Sequence, residues 1–162
     1  MVDFINRWIK LPVYIVFFIL CIPFQSYAAT TEDACKEIQK VSTQMQSQMP
    51  IPIDYATDLI GLIAIYAGST CMVTYNYRLN ADEFLIEMRK ENSLSLQENL
   101  EYLQSAEGKR ILQNYFYEQA HDIAKAEMRT FATFKNMQVT YIHIFDRYEI
   151  PSIKTVVVDT TK

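Results

Sequence analysis

Residues 70–79, TCMVTYNYRL, alternate without interruption. Cys71, Val73, Tyr75, Tyr77 and Leu79 fall on one side, and Thr70, Met72, Thr74, Asn76 and Arg78 on the other. A period of two is the signature of a strand whose two faces meet different surroundings. Just before it, residues 57–67 read TDLIGLIAIYA, short and almost continuously apolar. That composition predicts a strand buried on both faces. Gly68-Ser69 between the two segments predicts an antiparallel hairpin. A sheet with an apolar face must be covered, and this requirement governs the rest of the chain.

Helical segments supply the cover. Residues 31–48 predict a helix, with Thr31 as cap and Glu32 and Asp33 at the positive end of the helix dipole. Ile38, Val41 and Met45 recur at helical spacing, with Cys35 close to the same stripe. The segment MPIPI at 49–53 stops it. Residues 81–91 predict a short helix with Phe84, Leu85 and Met88 on its apolar side. Residues 94–134 have helical propensity, with Leu96, Leu100, Leu103, Leu112, Phe116, Ala120, Ile123, Phe131 and Phe134 as the apolar set. Gly108 is the expected break, giving helices near 94–106 and 108–134. Alternation returns at 137–146, with Met137, Val139, Tyr141, His143 and Phe145 together. RYEIP then carries a bend, and residues 152–159 form a last strand. The predicted order is α-β-β-α-α-α-β-β, an α+β domain with helices packed on an antiparallel sheet of about four strands.

The N-terminus sets the compartment. Arg7 and Lys10 precede the apolar run from Leu11 to Phe24, and Ser26-Tyr27-Ala28 forms a short polar exit. This is the layout of a secretory signal peptide cut after Ala28. The domains are then a signal peptide, 1–28, and a single periplasmic or secreted domain, 29–162. The apolar run would span about 21 Å as helix, short of a roughly 30 Å hydrocarbon core. Retention as a membrane anchor is one rival, and lipid attachment at Cys21 is another, although Leu20 is bulky for that reaction. Cleavage removes Cys21 and leaves Cys35 and Cys71, which in an oxidising compartment form one disulfide. Closing that loop contributes roughly 4 kcal/mol by the chain-entropy estimate. A redox role would lack CxxC spacing, and pairing with another chain is the remaining alternative. Such a bond would pin the first helix onto the sheet.

Removing residues 1–28 takes away Asp3, Arg7 and Lys10, leaving 18 acidic and 13 basic residues. No basic cluster offers a nucleic-acid footprint. The three glycines of the chain argue against a glycine-rich phosphate loop. His121 and His143 are the only histidines, and neither belongs to an HExxH-type motif. Asp54 and Asp58 fall in a loop entering a strand, and Asp82, Glu83, Glu87 and Glu91 form a solvated helix face without calcium-loop spacing. No serine sits in GxSxG. No catalytic residue, metal ligand or cofactor is expected. The candidate interaction surface comprises Tyr75, Tyr77, Tyr115, Tyr117 and His143. If helices cover one sheet face only, the other face is also available to a protein or peptide.

Three stretches carry a family resemblance: MPIPIDYATDLIGLIAIYAGSTCMVTYNYRL, the central helices, and VTYIHIFDRYEIPSIKTVVV. Over roughly residues 49–160 the chain resembles a family of small exported proteobacterial proteins that includes quorum-sensing-regulated virulence factors of pseudomonads. Asp54 and Thr57 match the element before the first strand, Tyr75 and Tyr77 the tyrosine-rich strand, and Tyr141 with Asp146 the closing hairpin. The family's cysteine near the end of the central helix has no counterpart in LQNYFYEQAHD. The resemblance implies an exported α+β domain and no catalytic residues. The expected function is a periplasmic, non-enzymatic protein-binding or secretion and assembly accessory protein, with an inhibitor or immunity protein as a specific form. A membrane-tethered component of a secretion or conjugation apparatus and a small periplasmic hydrolase are the alternatives. The expected partner is a protein, with no nucleic acid and no stable membrane span once the signal peptide is cleaved.

Overall fold

The computed structural model describes residues 30–127 and 130–161, and within these the side chains of 122–127 are not considered. The expected signal peptide and Cys21 therefore lie outside the described residues. The first helix, α1, runs Thr31–Met45 and closes with a 3-10 turn, Gln46–Gln48. Its cap is Thr30, one residue before the Thr31 expected. The Thr30 hydroxyl accepts from the Asp33 amide at 3.1 Å, and the Thr30 amide donates to the Asp33 carboxylate at 3.2 Å. This reciprocal pair is a capping box. Thr31 instead donates its hydroxyl to the Lys135 carbonyl at 2.5 Å, tying the helix start to a distant segment.

The sheet contains β1 (Ile51–Pro52), β2 (Thr57–Ala67), β3 (Thr70–Leu79), β4 (Met137–Phe145) and β5 (Ile153–Asp159), in spatial order β1-β2-β3-β4-β5. Strands β2 and β3 form the expected antiparallel hairpin, from Thr57 opposite Leu79 to Ala67 opposite Thr70. Gly68 and Ser69 both have positive φ, as a two-residue hairpin turn matching the strand twist requires. The α+β class and the element order hold. The all-antiparallel sheet does not, because β3 and β4 pair in parallel, Cys71 beside Met137 through Leu79 beside Phe145. Three helices separate these strands and carry the chain back to the end where β3 began, which a parallel neighbour demands. The additional strand, β1, comes from the proline segment and is two residues long.

Those three helices are α2 (Ala81–Asn92), α3 (Leu96–Gln104) and α4 (Ala106–Glu127), followed by a 3-10 turn at Phe131–Thr133. The expected break near Gly108 lies at Ser105, and α4 ends at Glu127 rather than near residue 134. Ser105 is extended; its hydroxyl donates to the Tyr102 carbonyl at 2.6 Å and accepts from the Gly108 amide at 3.0 Å. It thus ends α3 and caps α4. Gly108 matters for closeness: a Cβ there would sit 1.9 Å from the Tyr102 carbonyl oxygen. The sequence signal was correct that a corner exists, but glycine serves its packing rather than its dihedrals.

The four described helices lie on the sheet face bearing Val73, Tyr75, Val139 and Tyr141, where two buried clusters form. One joins α1 to β2, β3, β4 and β5 through Cys35, Ile38, Leu62, Val73, Met137 and Val139. The other joins α2, α3 and α4 to the opposite strand ends through Phe84, Leu103, Leu112, Phe116, Phe145 and Ile153. Cys35 and Cys71 are bonded, with Cα atoms 5.7 Å apart and both residues fully buried. The staple joins α1 to β3 as expected.

Candidate interaction surface

The proposed aromatic residues do not form one exposed patch. Tyr75 is 6% exposed and Tyr77 half-buried, because both project from β3 beneath the helices. With Tyr141 they make an edge-to-face group, ring centroids 5.4 and 5.5 Å apart. Tyr115 is half-buried against Phe116, and burial first, then Tyr55 and Asp54, pushes its hydroxyl up to about 12. Tyr117 alone of the four tyrosines is well exposed, beside His121 at 4.2 Å. The aromatic spacing that looked like a surface on β3 is core, since the same side of the strand carries Cys71 and Val73.

His143 stacks on Tyr77 at 5.2 Å and lies under Phe116 at 4.3 Å. Its ring edge reaches the surface, but Nδ1 is fully buried and has no hydrogen-bond partner among the described residues. Burial pushes its pKa down to about 4, with no acidic neighbour contributing. The imidazole is therefore neutral near pH 7, and among the described side chains no carboxylate orients it as a general base. Among the described residues no three His, Cys, Asp or Glu side chains gather as a metal site. The acidic face of α2 is partly engaged: Asp82 pairs with Arg147 at 2.7 Å and accepts from the Tyr148 hydroxyl at 2.6 Å.

Among the described residues, no helix packs on the opposite sheet face, although Thr140 at its centre is buried. Strand β2 was expected to be buried on both sides, yet only Leu59, Leu62 and Ala64 are buried. Ile63 and Ile65 are 50% and 51% exposed on the other side. Ile65 lies opposite Met72, itself 37% exposed, and Ile63 opposite Thr74. Ile144 of β4 is 39% exposed on the same face. Ile63 and Ile65 escaped sequence reasoning because apolar residues on both sides of β2 erase its alternation, whereas alternation in β3 and β4 already sets Met72 and Ile144 opposite the core-facing residues. The available clue was the helix content, sufficient for one layer only.

Helix side chains reach carbonyls on both sheet edges. Gln39 donates to the Ala64 carbonyl at 3.1 Å, and the Ser42 hydroxyl donates to the Leu62 carbonyl, on the outer edge of β2. On the other edge, Gln113 donates to the Lys154 carbonyl at 3.1 Å. Side chains occupying edge carbonyls oppose strand addition.

The molecule is thus an α+β domain with one helix layer on a mixed sheet, stapled by a disulfide. Neither a protein-family model nor a curated protein matches it. Among solved structures it is similar to a Pseudomonas aeruginosa protein provisionally described as secreted, at 12% identity and a TM-score of 0.37, covering 79% of this chain and 91% of that one. No helix among the described residues is long and apolar enough to cross a membrane.

Proposed function

We propose that this chain is an exported, non-enzymatic protein-binding domain of the periplasm or extracellular space, acting as an accessory or inhibitor of a protein partner through its open sheet face. The observation carrying this reading is the exposed set Ile63, Ile65, Met72 and Ile144 opposite the helix layer. Ile63, Ile65 and Met72 are neighbours in register, with Ile144 farther along beside Arg78, and exposed apolar side chains grouped on a sheet face mark an interaction site. The buried Cys35–Cys71 bond supports an oxidising compartment, and the N-terminal segment supports export. The family resemblance supports the same address.

Two measurements test the reading. Mass spectrometry of the protein from its native host is expected to give a mature start at Ala29; retention of Met1 would replace it with the tethered alternative. Affinity capture from periplasm is expected to recover a reproducible protein with the parent chain, and to lose it with an Ile63→Thr/Ile65→Thr variant. Capture unaffected by these changes would sink the assignment of the face.

A further inference from the structure

We propose that the turn Arg147–Glu149, between β4 and β5, is a strained segment held shut by one carboxylate, Asp82, and that loss of this hold frees the turn while the domain stays folded. The backbone supplies the first observation. Tyr148 and Glu149 stand at φ +69° and +50°, the left-handed region that large side chains rarely adopt. The other left-handed positions among the described residues are Gly68, Ser69, Ser93 and Asn136, all small or short and polar. A turn built only for tightness would use Asn-Gly or Asp-Gly. Tyrosine carries a cost in backbone conformation here, and its side chain is what offsets it.

That side chain reaches the first turn of α2. The Tyr148 hydroxyl donates to Asp82 Oδ1 at 2.6 Å, and the Arg147 guanidinium donates to Oδ2 at 2.7 Å. Both oxygens of one carboxylate are thus occupied by adjacent residues of the turn. From the end of α3, Gln104 donates to the Tyr148 carbonyl at 2.7 Å. The turn is anchored on either side. Asp146 accepts from the Ala81 amide at 2.9 Å and its own amide donates to the Leu79 carbonyl at 3.0 Å, while Ile150 is buried in the second core cluster. The three residues between these anchors are the part able to swing. Their bonds to Asp82 lie among exposed groups, where such bonds contribute little, and two left-handed residues oppose them. Opposing effects of similar size make a latch that opens without unfolding the domain.

Backbone NMR relaxation of the protein recovered from periplasm tests this. Order parameters of Tyr148 and Glu149 are expected near the rigid value of about 0.85 in the parent and below about 0.6 in Asp82→Ala, with β3 and β4 unchanged. Asparagine suits the left-handed region, so adding Glu149→Asn to Asp82→Ala is expected to recover about half of the fall at Tyr148. Glu83→Ala removes a charge from the same turn of α2 and should leave the segment rigid. A turn already mobile in the parent, or unmoved by Asp82→Ala, overturns the proposal. So does an equal fall with Glu83→Ala, a fall spread through β3 and β4, or no recovery with Glu149→Asn. If Asp82→Ala does not fold, Tyr148→Phe replaces it and is judged by the same outcomes.

Discussion

Burial of His143 against Tyr77 and Phe116 makes it the side chain whose protonation most directly reports folding. Its pKa is pushed down to about 4 in the folded chain, against roughly 6.5 unfolded. Between these values the unfolded chain binds the proton and the folded chain does not, so stability falls as pH falls through that window. The loss has an upper limit of about 3 kcal/mol and is complete near pH 4. His143→Phe retains an aromatic ring on Tyr77 and has nothing to titrate. Thermal melts between pH 7 and 4 should therefore slope for the parent and flatten over that window for the variant. An unchanged slope would show that another group titrates there. Asp33 and Glu98 act lower still, because hydrogen bonds from Thr30 and Ser95 hold their carboxyls below the usual range. Their contribution disappears only as pH falls through those depressed values. His143 was identifiable in the sequence as an inward position from its alternation with Tyr141 and Phe145. The lack of a carboxylate beside it among the described side chains was not, because that depends on what α4 brings over it.

At the scale of elements, two joints hold the helix layer in place. The α3–α4 corner brings a Gly108 Cβ position within 1.9 Å of the Tyr102 carbonyl, a contact no side chain can relieve. Gly108→Ala is expected to cost about 2 kcal/mol or more as the corner opens, read as a lower urea midpoint. A loss below about 0.5 kcal/mol would mean that the two helices separate freely. The other joint is α1, fastened by Cys35–Cys71 and by Gln39 and Ser42 on the β2 edge. Cys35→Ala/Cys71→Ala should cost about 2–4 kcal/mol. It should also speed hydrogen exchange in α1 more than in β3 and β4, which retain strand partners on both sides. Equal acceleration throughout would mean that α1 does not open separately. The strands were legible because alternation and turn chemistry are local. The cap at Thr30 was misplaced by one residue because both Thr30 and Thr31 have a hydroxyl, and only the bond to Lys135 shows what Thr31 does instead.

The whole molecule distributes its surface unevenly. Helices with an acidic excess but many ion pairs occupy one side and a sheet face with exposed isoleucines the other, while helix side chains reach a few strand-edge carbonyls. Gln39 and Ser42 on the β2 edge disfavour strand addition there. The placement of the helices also explains why tyrosines that suggested a surface became core. β3 presents Tyr75 and Tyr77 on the same side as Cys71, and the staple commits that side to α1.

Local patterning determined the elements of this protein: hydrogen-bond periodicity and turn residues act over a few positions, so β2, β3, β4 and the first two helices could be read directly. The buried pairing of Cys35 with Cys71 could be anticipated because only two cysteines follow the expected cleavage. Tertiary structure decided the parallel β3–β4 pairing, the side of β2 on which Ile63 and Ile65 are exposed and the burial of His143 under Phe116. Each depends on where a helix returns across the sheet, a long-range choice set by packing and chain direction rather than by any short run of residues.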